Sequence, residues 1–598
     1  MLASNIELHK QQNNLPDAII WLLGGTVAFV IAYLGATFID SNGEYVFFGP
    51  DSFYHATRIL TATNNLADFY QYDDRTDSWI SWPWAYDFLL ALLVKAICFF
   101  ETDCNPVAIL IHIPPFIVFL NAGLVLLIGI ECKLTIFFKI LLVACFAFSP
   151  LTQLLHLPGR IDHHMIEYSF ILATVLLGMK WLRTGGTIYA ISLGILLGSA
   201  PGFHNGLFII QIPTIITFGL LWVKKLEPPT TYKKFILSFL LSACIVLIPS
   251  QSIWRFSFEF YYLSWFHFYV ALCTALYCYL FSTLQFSIKN FFSLLALATV
   301  LLLPLIRQFI LGLDFIGGDL PNYQEIGEIK SPLSYFPGYY AEYSFLLYLF
   351  PLFLGLVTYS LRYITTLERL YLTVFLIFGS TLLLAQRRMH YFGSLALYLP
   401  LLLFVNQLRF SAKSGVFAKY LAAGIFLTLC YYPSFSKLLT RQPLGMSFDY
   451  AVTAPIYQKM KESCDLRPGL VLADYSDGHY ITYHSKCSII ANNMFVSSED
   501  FRHVEKVQAL LNMTIEELEL TETDLDYIYV RREDNIFLNN GIEDIKISNK
   551  GLRYELLIDR SNIPENWELI AELIDEKLTY PVIAAFYRVN KFNTPLEL

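Results

Sequence analysis

WPWAYDFLLALLVKAICFFE, residues 82–101, is the stretch on which the fold turns. It belongs to a series of apolar runs, but it is short and opens on aromatic and charged residues. Read as a membrane crossing it brings the number of spans to fourteen. Read as a helix lying in the interface behind its aromatic anchors it leaves thirteen. The sidedness of every later loop depends on that choice.

The other runs lie near residues 17–38, 106–130, 133–151, 163–179, 187–201, 206–223, 234–249, 263–283, 290–312, 342–360, 368–385, 390–406 and 416–434. The first is too long for a secretory signal and lacks a small-residue cleavage site, so it reads as an anchor. Short loops rich in Lys and Arg stay on the cytoplasmic side. The basic loops are 133–139, 180–183, 224–234, 362–369 and 409–419. If all fourteen runs crossed, the loop holding Lys180 and Arg183 would oppose the loop holding Lys133 and Lys139. Demoting 84–101 restores one side for all of them. Thirteen spans then leave the N-terminus inside and the C-terminus outside, with residues 39–105, 152–162, 313–341 and everything after about 435 external.

Composition agrees with lipid as the solvent. Of 598 residues 56% are hydrophobic and 15% charged, against about 25% charged in soluble domains. The mean hydropathy is +0.51. A net charge of −8 gives no sign of nucleic-acid binding. Residues 1–434 therefore read as a polytopic α-helical membrane domain and 435–598 as an extracytoplasmic mixed α/β domain. Strand-like runs in the tail are GLVLADYS, CSIIANNMF, LDYIYVRR and PVIAAFYRV, and HVEKVQALLNM is helix-like. Eight of the ten cysteines sit in or beside apolar runs, where a free thiol behaves as a small hydrophobe. Cys464 and Cys487 fall in the polar tail; a bridge between them and two free thiols fit the sequence equally.

Four external segments carry unusual polar residues. Asp51 opens DSFYHATRIL; alone it also fits a solvated loop carboxylate. PGRIDHHMIEY sets Arg160, Asp162, His163, His164 and Glu167 at a junction between two apolar runs, where charge is costly and tends to be functional. Asp162 and His164 are two residues apart, so in extended chain both point one way and can share a divalent ion; the two histidines also fit plain interfacial polarity. Glu328 ends EIGE within a long external stretch, and loops of that length are usually functional or disordered. Arg387 and Arg388, in AQRRMHYF, stand at an external helix end, where snorkelling explains them as well. Carboxylates and histidine that hold a metal, with arginine for charge, suit phosphate chemistry. No P-loop, GxSxG elbow or HExxH helix is present.

In this order the motifs resemble the catalytic subunit of oligosaccharyltransferases, a GT-C-type membrane glycosyltransferase, most like the single-subunit bacterial and archaeal enzymes. The resemblance covers essentially the whole chain. It implies that Asp51 in GPDSFYHATRI matches the metal-binding Asp of the first loop, which also touches the acceptor amide. Asp162 and His164 in GRIDHHMIE match the second-loop ligands of the Asp-x-His variant, and Glu328 resembles the Glu that holds the acceptor Asn and completes the metal site. On this basis Asp51 and Glu328 are the catalytic pair, and Asp51, Asp162, His164 and Glu328 would hold Mn²⁺ or Mg²⁺. Arg388 resembles the arginine that contacts the acceptor peptide, with Arg387 as the alternative register. Tyr475, Ser476, Asp477 and Gly478 occupy the place of the family's W-W-D-x-G acceptor motif, so the tryptophans are replaced and the Asp stands one residue later. Arg160 and His163 are assigned to the donor phosphate.

What the resemblance implies is inverting transfer of an oligosaccharide from a polyprenyl (pyro)phosphate carrier to the Asn amide of acceptor polypeptides, at the external face of a bacterial inner membrane or archaeal cell membrane. Partners would be the lipid-linked oligosaccharide, the acceptor chain and membrane lipids, with no nucleic acid. The alternatives are a transferase of the same type acting on a lipid, polysaccharide or hydroxyl acceptor, and a lipid-linked glycan transporter. Broken helices with intramembrane charge mark transporters, and the spans here carry few charges. Asn512-Met513-Thr514 is an Asn-x-Thr sequence in the tail.

Overall fold

Runs that are apolar on every side satisfy their backbone only as helices when surrounded by hydrocarbon, and each of the fourteen runs contains a helix among the described residues. The structure is a computed structural model. It describes the chain apart from residues 1–14, 318–330, 334–342, 362–365, 409–414, 429–443, 533–550 and 591–598. Positions 35, 40–42, 71–72, 77, 102, 332, 344–345, 426–427, 446–447, 495, 522–523 and 577–579 are also outside the description.

Among the described residues, eight helices are long and apolar enough to cross a membrane: Leu15–Tyr33, Pro106–Glu131, His164–Thr184, Asn205–Val223, Trp265–Thr283, Ile288–Leu313, Leu367–Ala385 and Arg387–Gln407. Shorter apolar helices fill Ile136–Phe148, Thr187–Phe203 and Gly415–Ile425. The chain is thus an integral membrane protein built mostly of helices. Ala85–Phe99 is a helix of 15 residues, about 22 Å at 1.5 Å per residue, shorter than the ~30 Å hydrocarbon core. It buries Tyr86, Asp87, Ala91 and Val94 while Leu89, Leu92, Leu93 and Phe99 are exposed.

The chain divides into two compact units, one of Met1–Ala36, Ile113–Leu157 and His163–Pro443, the other of Thr37–His112, Pro158–Asp162 and Leu444–Leu598. Residues 37–112 and 158–162, grouped by the sequence with the spans, therefore pack in one unit with the tail. In the first unit, Gly194 and Gly198 stand four apart on Thr187–Phe203. A Cβ at Gly198 would lie 2.2 Å from the Phe239 carbonyl oxygen and one at Gly194 2.6 Å from that of Phe235. Small residues at this spacing let two backbones approach closely. His164–Thr184 is deeply enclosed; Tyr371 donates to the Thr174 carbonyl at 3.3 Å and Ser394 to the Tyr168 hydroxyl at 2.8 Å.

The second unit holds a five-stranded mixed sheet. Its strands are β1 (Leu470–Leu472), β2 (Ser488–Ile489), β3 (Tyr527–Arg531), β4 (Trp567–Ile574) and β5 (Val582–Val589), in the order β2-β1-β3-β5-β4. β1 runs parallel to β2 and β3, whereas β5 is antiparallel to β3 and β4. Four strands match the sequence expectation, and the helix Ser498–Asn512 covers most of HVEKVQALLNM. β4 falls in the acidic stretch, outside the strand-like runs. Two disulfides fix this unit, Cys464–Cys487 and Cys98–Cys104. The second corrects the reading of Cys98 and Cys104 as isolated small hydrophobes: Cys98 lies in the last turn of the helix Ala85–Phe99 and Cys104 two residues before the helix Pro106–Glu131, so the thiols meet across the short connection. Among the described residues, Cys132, Cys145, Cys244, Cys273 and Cys278 form no disulfide.

Candidate functional site

Asp51 sits in the first turn of the helix Pro50–Asn64, where the exposed N–H groups and helix dipole favour a carboxylate. Its Oδ1 accepts a hydrogen bond from Asn493 Nδ2 at 2.9 Å. The helix is held firmly. His55 Nδ1 lies 2.6 Å and Arg58 Nη1 3.0 Å from the two oxygens of Asp87, all three groups essentially inaccessible to water. Phe53 packs edge-on against Tyr480 and Tyr483 at 4.9 and 5.0 Å between ring centres.

Asn493 is held in turn by a buried network. Asn492 donates to both oxygens of Asp74 at 3.0 Å, and Arg75 pairs with Asp500 at 2.5 Å. Burial opposes charge on Asp74, but hydrogen bonds and charge from His479, with Arg75 and Asn492, hold its carboxyl below the ordinary range. Neighbouring Asp73 is pushed up to about 6 by burial, against the pull of Arg75.

The second loop is threaded by a glycine that no other residue replaces easily. Gly159 has φ +78°, and a Cβ there would sit 2.8 Å from the Val46 carbonyl oxygen; only glycine adopts this backbone without strain. Phe48 N–H donates to the Gly159 carbonyl at 3.0 Å and Gly159 N–H to that of Ile111 at 2.9 Å. Tyr86 hydroxyl donates to the Ile161 carbonyl at 2.6 Å, which fixes the backbone just before Asp162. Asp162 is 4% exposed. Its carboxylate is within 4.8 Å of a ring nitrogen of His55 and 3.8 Å from Arg160, whose guanidinium lies over the Phe48 ring.

In the first unit, His164 begins the helix His164–Thr184 and is preceded by His163. Glu167, one turn in and fully buried, binds His164 Nδ1 through Oε2 at 2.7 Å and His204 Nδ1 through Oε1. The rings of His163 and His204 stack at 4.5 Å. His163, Glu167 and His204 present one ligand atom each within 4.8 Å of one another. Sequence reasoning does not single out His204, a lone histidine in GFHNG between two apolar runs.

The structure thus brings Asp51, Arg160 and Asp162 into the second unit and His163, His164 and Arg388 into the first. Arg388 lies in the turn Arg387–Met389, and Glu328 lies outside the described residues. Tyr475, Ser476 and Asp477 form one turn and Gly478 opens the next helix. Asp477 is buried, with both oxygens 2.8 Å from Arg531 Nε and one accepting from Tyr457. Burial raises its carboxyl despite the Arg531 charge. A Cβ on Gly478 would lie 2.7 Å from the Ala491 carbonyl oxygen, so glycine there lets the helix meet the chain leading to Asn493.

No protein-family model and no curated protein matches the chain. Solved structures do. The archaeal oligosaccharyltransferase AglB from Archaeoglobus fulgidus, in complex with an inhibitory peptide and a dolichol-phosphate, aligns with a TM-score of 0.73 at 13% identity over 94% of this chain and 80% of that one. Its apo form gives 0.71 at 13% identity, covering 95% and 81%, and the same enzyme with Zn and sulfate gives 0.61 at 14%, covering 86% and 68%. Over nearly its whole length this chain has the fold of an archaeal oligosaccharyltransferase.

Proposed function

We propose that the chain is a membrane glycosyltransferase that moves an oligosaccharide from a polyprenyl (pyro)phosphate carrier to the side-chain amide of Asn in acceptor polypeptides, with inversion at the anomeric carbon. The observation that carries the reading is that the residues singled out in the first two loops are built-in features of a fold shared with AglB. Asp51 is held by Asn493 and Asp162 is set by Gly159 and Tyr86. AglB itself is known with a dolichol-phosphate and a peptide.

Asp51, Asp162 and His164, with Glu328, offer carboxylate oxygens and one imidazole, a mixed donor set that fits Mn²⁺, or Mg²⁺ with more oxygen partners. An ion held there would neutralise charge on the departing phosphate. Asp51 and Glu328 accept the two amide hydrogens of the acceptor Asn, which weakens the resonance that makes an amide nitrogen a poor nucleophile. Arg160 and His163 face the donor phosphate. Arg388 and the turn Tyr475–Gly478 are the acceptor side; with Asp477 neutralised by Arg531, the Tyr475 ring is the group proposed to replace the tryptophan platform. Thirteen spans with the tail outside complete the proposal. The two disulfides of the second unit favour an oxidising compartment for its loops and tail alike.

The test is transfer by the purified protein from a lipid-linked oligosaccharide to a fluorescent Asn-x-Thr peptide, with and without Mn²⁺. Label transfer that needs the metal and fails with a Gln-x-Thr peptide is expected. Transfer only to lipid or hydroxyl acceptors overturns the protein-directed reading.

A further inference from the structure

Across the 598 residues, Asn-x-Ser/Thr with x other than Pro occurs once, at Asn512-Met513-Thr514. The structure gives this sequence a definite setting within the second unit. Asn512 is the last residue of the helix Ser498–Asn512, and its side chain is exposed. Met513 and Thr514 leave the helix in extended conformation, with ψ 154° and 164°. The helix end is packed through its backbone, since a Cβ on Gly551 would lie 3.2 Å from the carbonyl oxygens of both Leu511 and Asn512. The chain is therefore held from one side while the Asn512 amide is presented to solvent, where a bulky polar group is tolerated. Thr514 is committed elsewhere. Its hydroxyl accepts from the Glu517 N–H at 3.2 Å and its own N–H donates to the Glu517 carboxylate at 2.9 Å, the reciprocal pair of a capping box. Ile515 N–H donates to Glu555 at 2.6 Å. Selecting Asn-x-Thr among Asn-containing sequences requires contact with the threonine hydroxyl, and in the finished tail that hydroxyl starts the helix Ile515–Glu519.

We propose that Asn512 is itself an acceptor of the transfer reaction and is modified before the Thr514 cap closes. A bond forms between the anomeric carbon of the sugar and Asn512 Nδ2, and the bond from that carbon to the carrier's phosphate oxygen breaks. The electron pair leaves with the polyprenyl (pyro)phosphate, and the amide nitrogen gives up one proton to water. The inference rests on the reading above, that glycan goes to Asn amides on the side of the membrane where the tail lies. Once the two helices and their cap have formed, the same Asn is exposed but no longer readable.

The experiment expresses the full chain in bacterial cells whose synthesis of a lipid-linked oligosaccharide can be switched on, beside an exported reporter with a flexible Asn-x-Thr tag. The chain is purified from the membrane and its tryptic fragment 507–531 is weighed. With donor present during synthesis, a glycan-sized increase is expected in the wild type and in Thr514→Ser, which keeps both hydroxyl and cap. None is expected in Thr514→Val or in Asn512→Gln, the latter leaving the cap intact, nor in Asp51→Ala expressed alone. A glycosylated reporter beside an unmodified fragment overturns this inference and leaves the proposed function standing; reporter and fragment both unmodified overturn the two together. Glycan on the Asp51→Ala fragment overturns the assignment to this chain's own reaction. With donor switched on only after synthesis has stopped, the reporter should still be modified and Asn512 should not; equal occupancy of Asn512 in the two regimes overturns the proposed order.

Discussion

The hydrogen bond from Asn493 of the tail to Asp51 is one of several contacts that join the first loop to the far end of the sequence within the second unit. A hydrogen bond to a charged group contributes about 1.5–3 kcal/mol, so Asn493→Ala should slow transfer about 10–100-fold while membrane insertion and yield stay unchanged. Wild-type rates in this variant, measured with peptide acceptor at saturating Mn²⁺, refute a role in aligning Asp51. Losing Asp51 or Asp162 removes the stabilisation a metal gives the leaving phosphate, several kcal/mol, and Asp51→Ala or Asp162→Ala should cost about a thousandfold. Full activity in either sinks the site. Asp51 and Asp162 are legible in the sequence because carboxylates bordering long apolar runs stand out. Asn493 and His204 are not: one lies in a run that reads as strand, the other is a lone polar residue, and only the fold gives them partners.

At the level of elements, the helix Phe448–Leu466 and the helix Gly478–His484 meet through stacked rings. His484 lies parallel to Tyr457 at 5.7 Å and 2.7 Å from the Tyr450 hydroxyl. Burial, with Lys461 adding to it, lowers the His484 imidazole to about 4 from an ordinary 6.5. Its folded pKa is depressed, so its contribution to stability is complete above pH 6.5 and is lost as the pH falls towards about 4. Asp73, raised to about 6 from 3.8, acts in the opposite sense, its contribution present below pH 3.8 and lost as the pH rises through 6. Hydrogen-exchange protection factors over residues 448–484, which are corrected for the slower intrinsic exchange in acid, should therefore fall between pH 6.5 and 4, and His484→Gln should remove that fall. An unaltered pH profile in the variant contradicts the assignment. Breaking the buried Asp477–Arg531 pair by Arg531→Ala should cost about 3–5 kcal/mol, read as a lower unfolding midpoint; an unchanged midpoint shows that Asp477 is not held as described. The sequence locates four of the five strands because their apolar residues are continuous. It misses β4, WELIAELI, an edge strand in which only Trp567 is buried and Glu568 and Glu572 are exposed, a stretch that looks merely acidic when read along the chain.

For the molecule as a whole, the apolar runs are the legible part, since a segment surrounded by lipid has no alternative to the helix. What the sequence could not supply is how loops distant in the chain gather: residues 37–112 and 158–162 join the tail in one unit through a network of buried charge such as Arg75 with Asp500. With Cys98–Cys104 and Cys464–Cys487 in that same unit, both pairs should resist membrane-impermeant maleimide in intact cells until a reductant is added. Labelling without reductant contradicts an external, oxidised location. The central claim is glycan transfer to protein, and its most direct test is the purified chain incubated with lipid-linked oligosaccharide, Mn²⁺ and paired Asn-x-Thr and Gln-x-Thr peptides, read by mass. A glycan-sized increase confined to the Asn peptide and lost with chelator is expected; no increase on any peptide, with glycan appearing on a lipid acceptor, contradicts it.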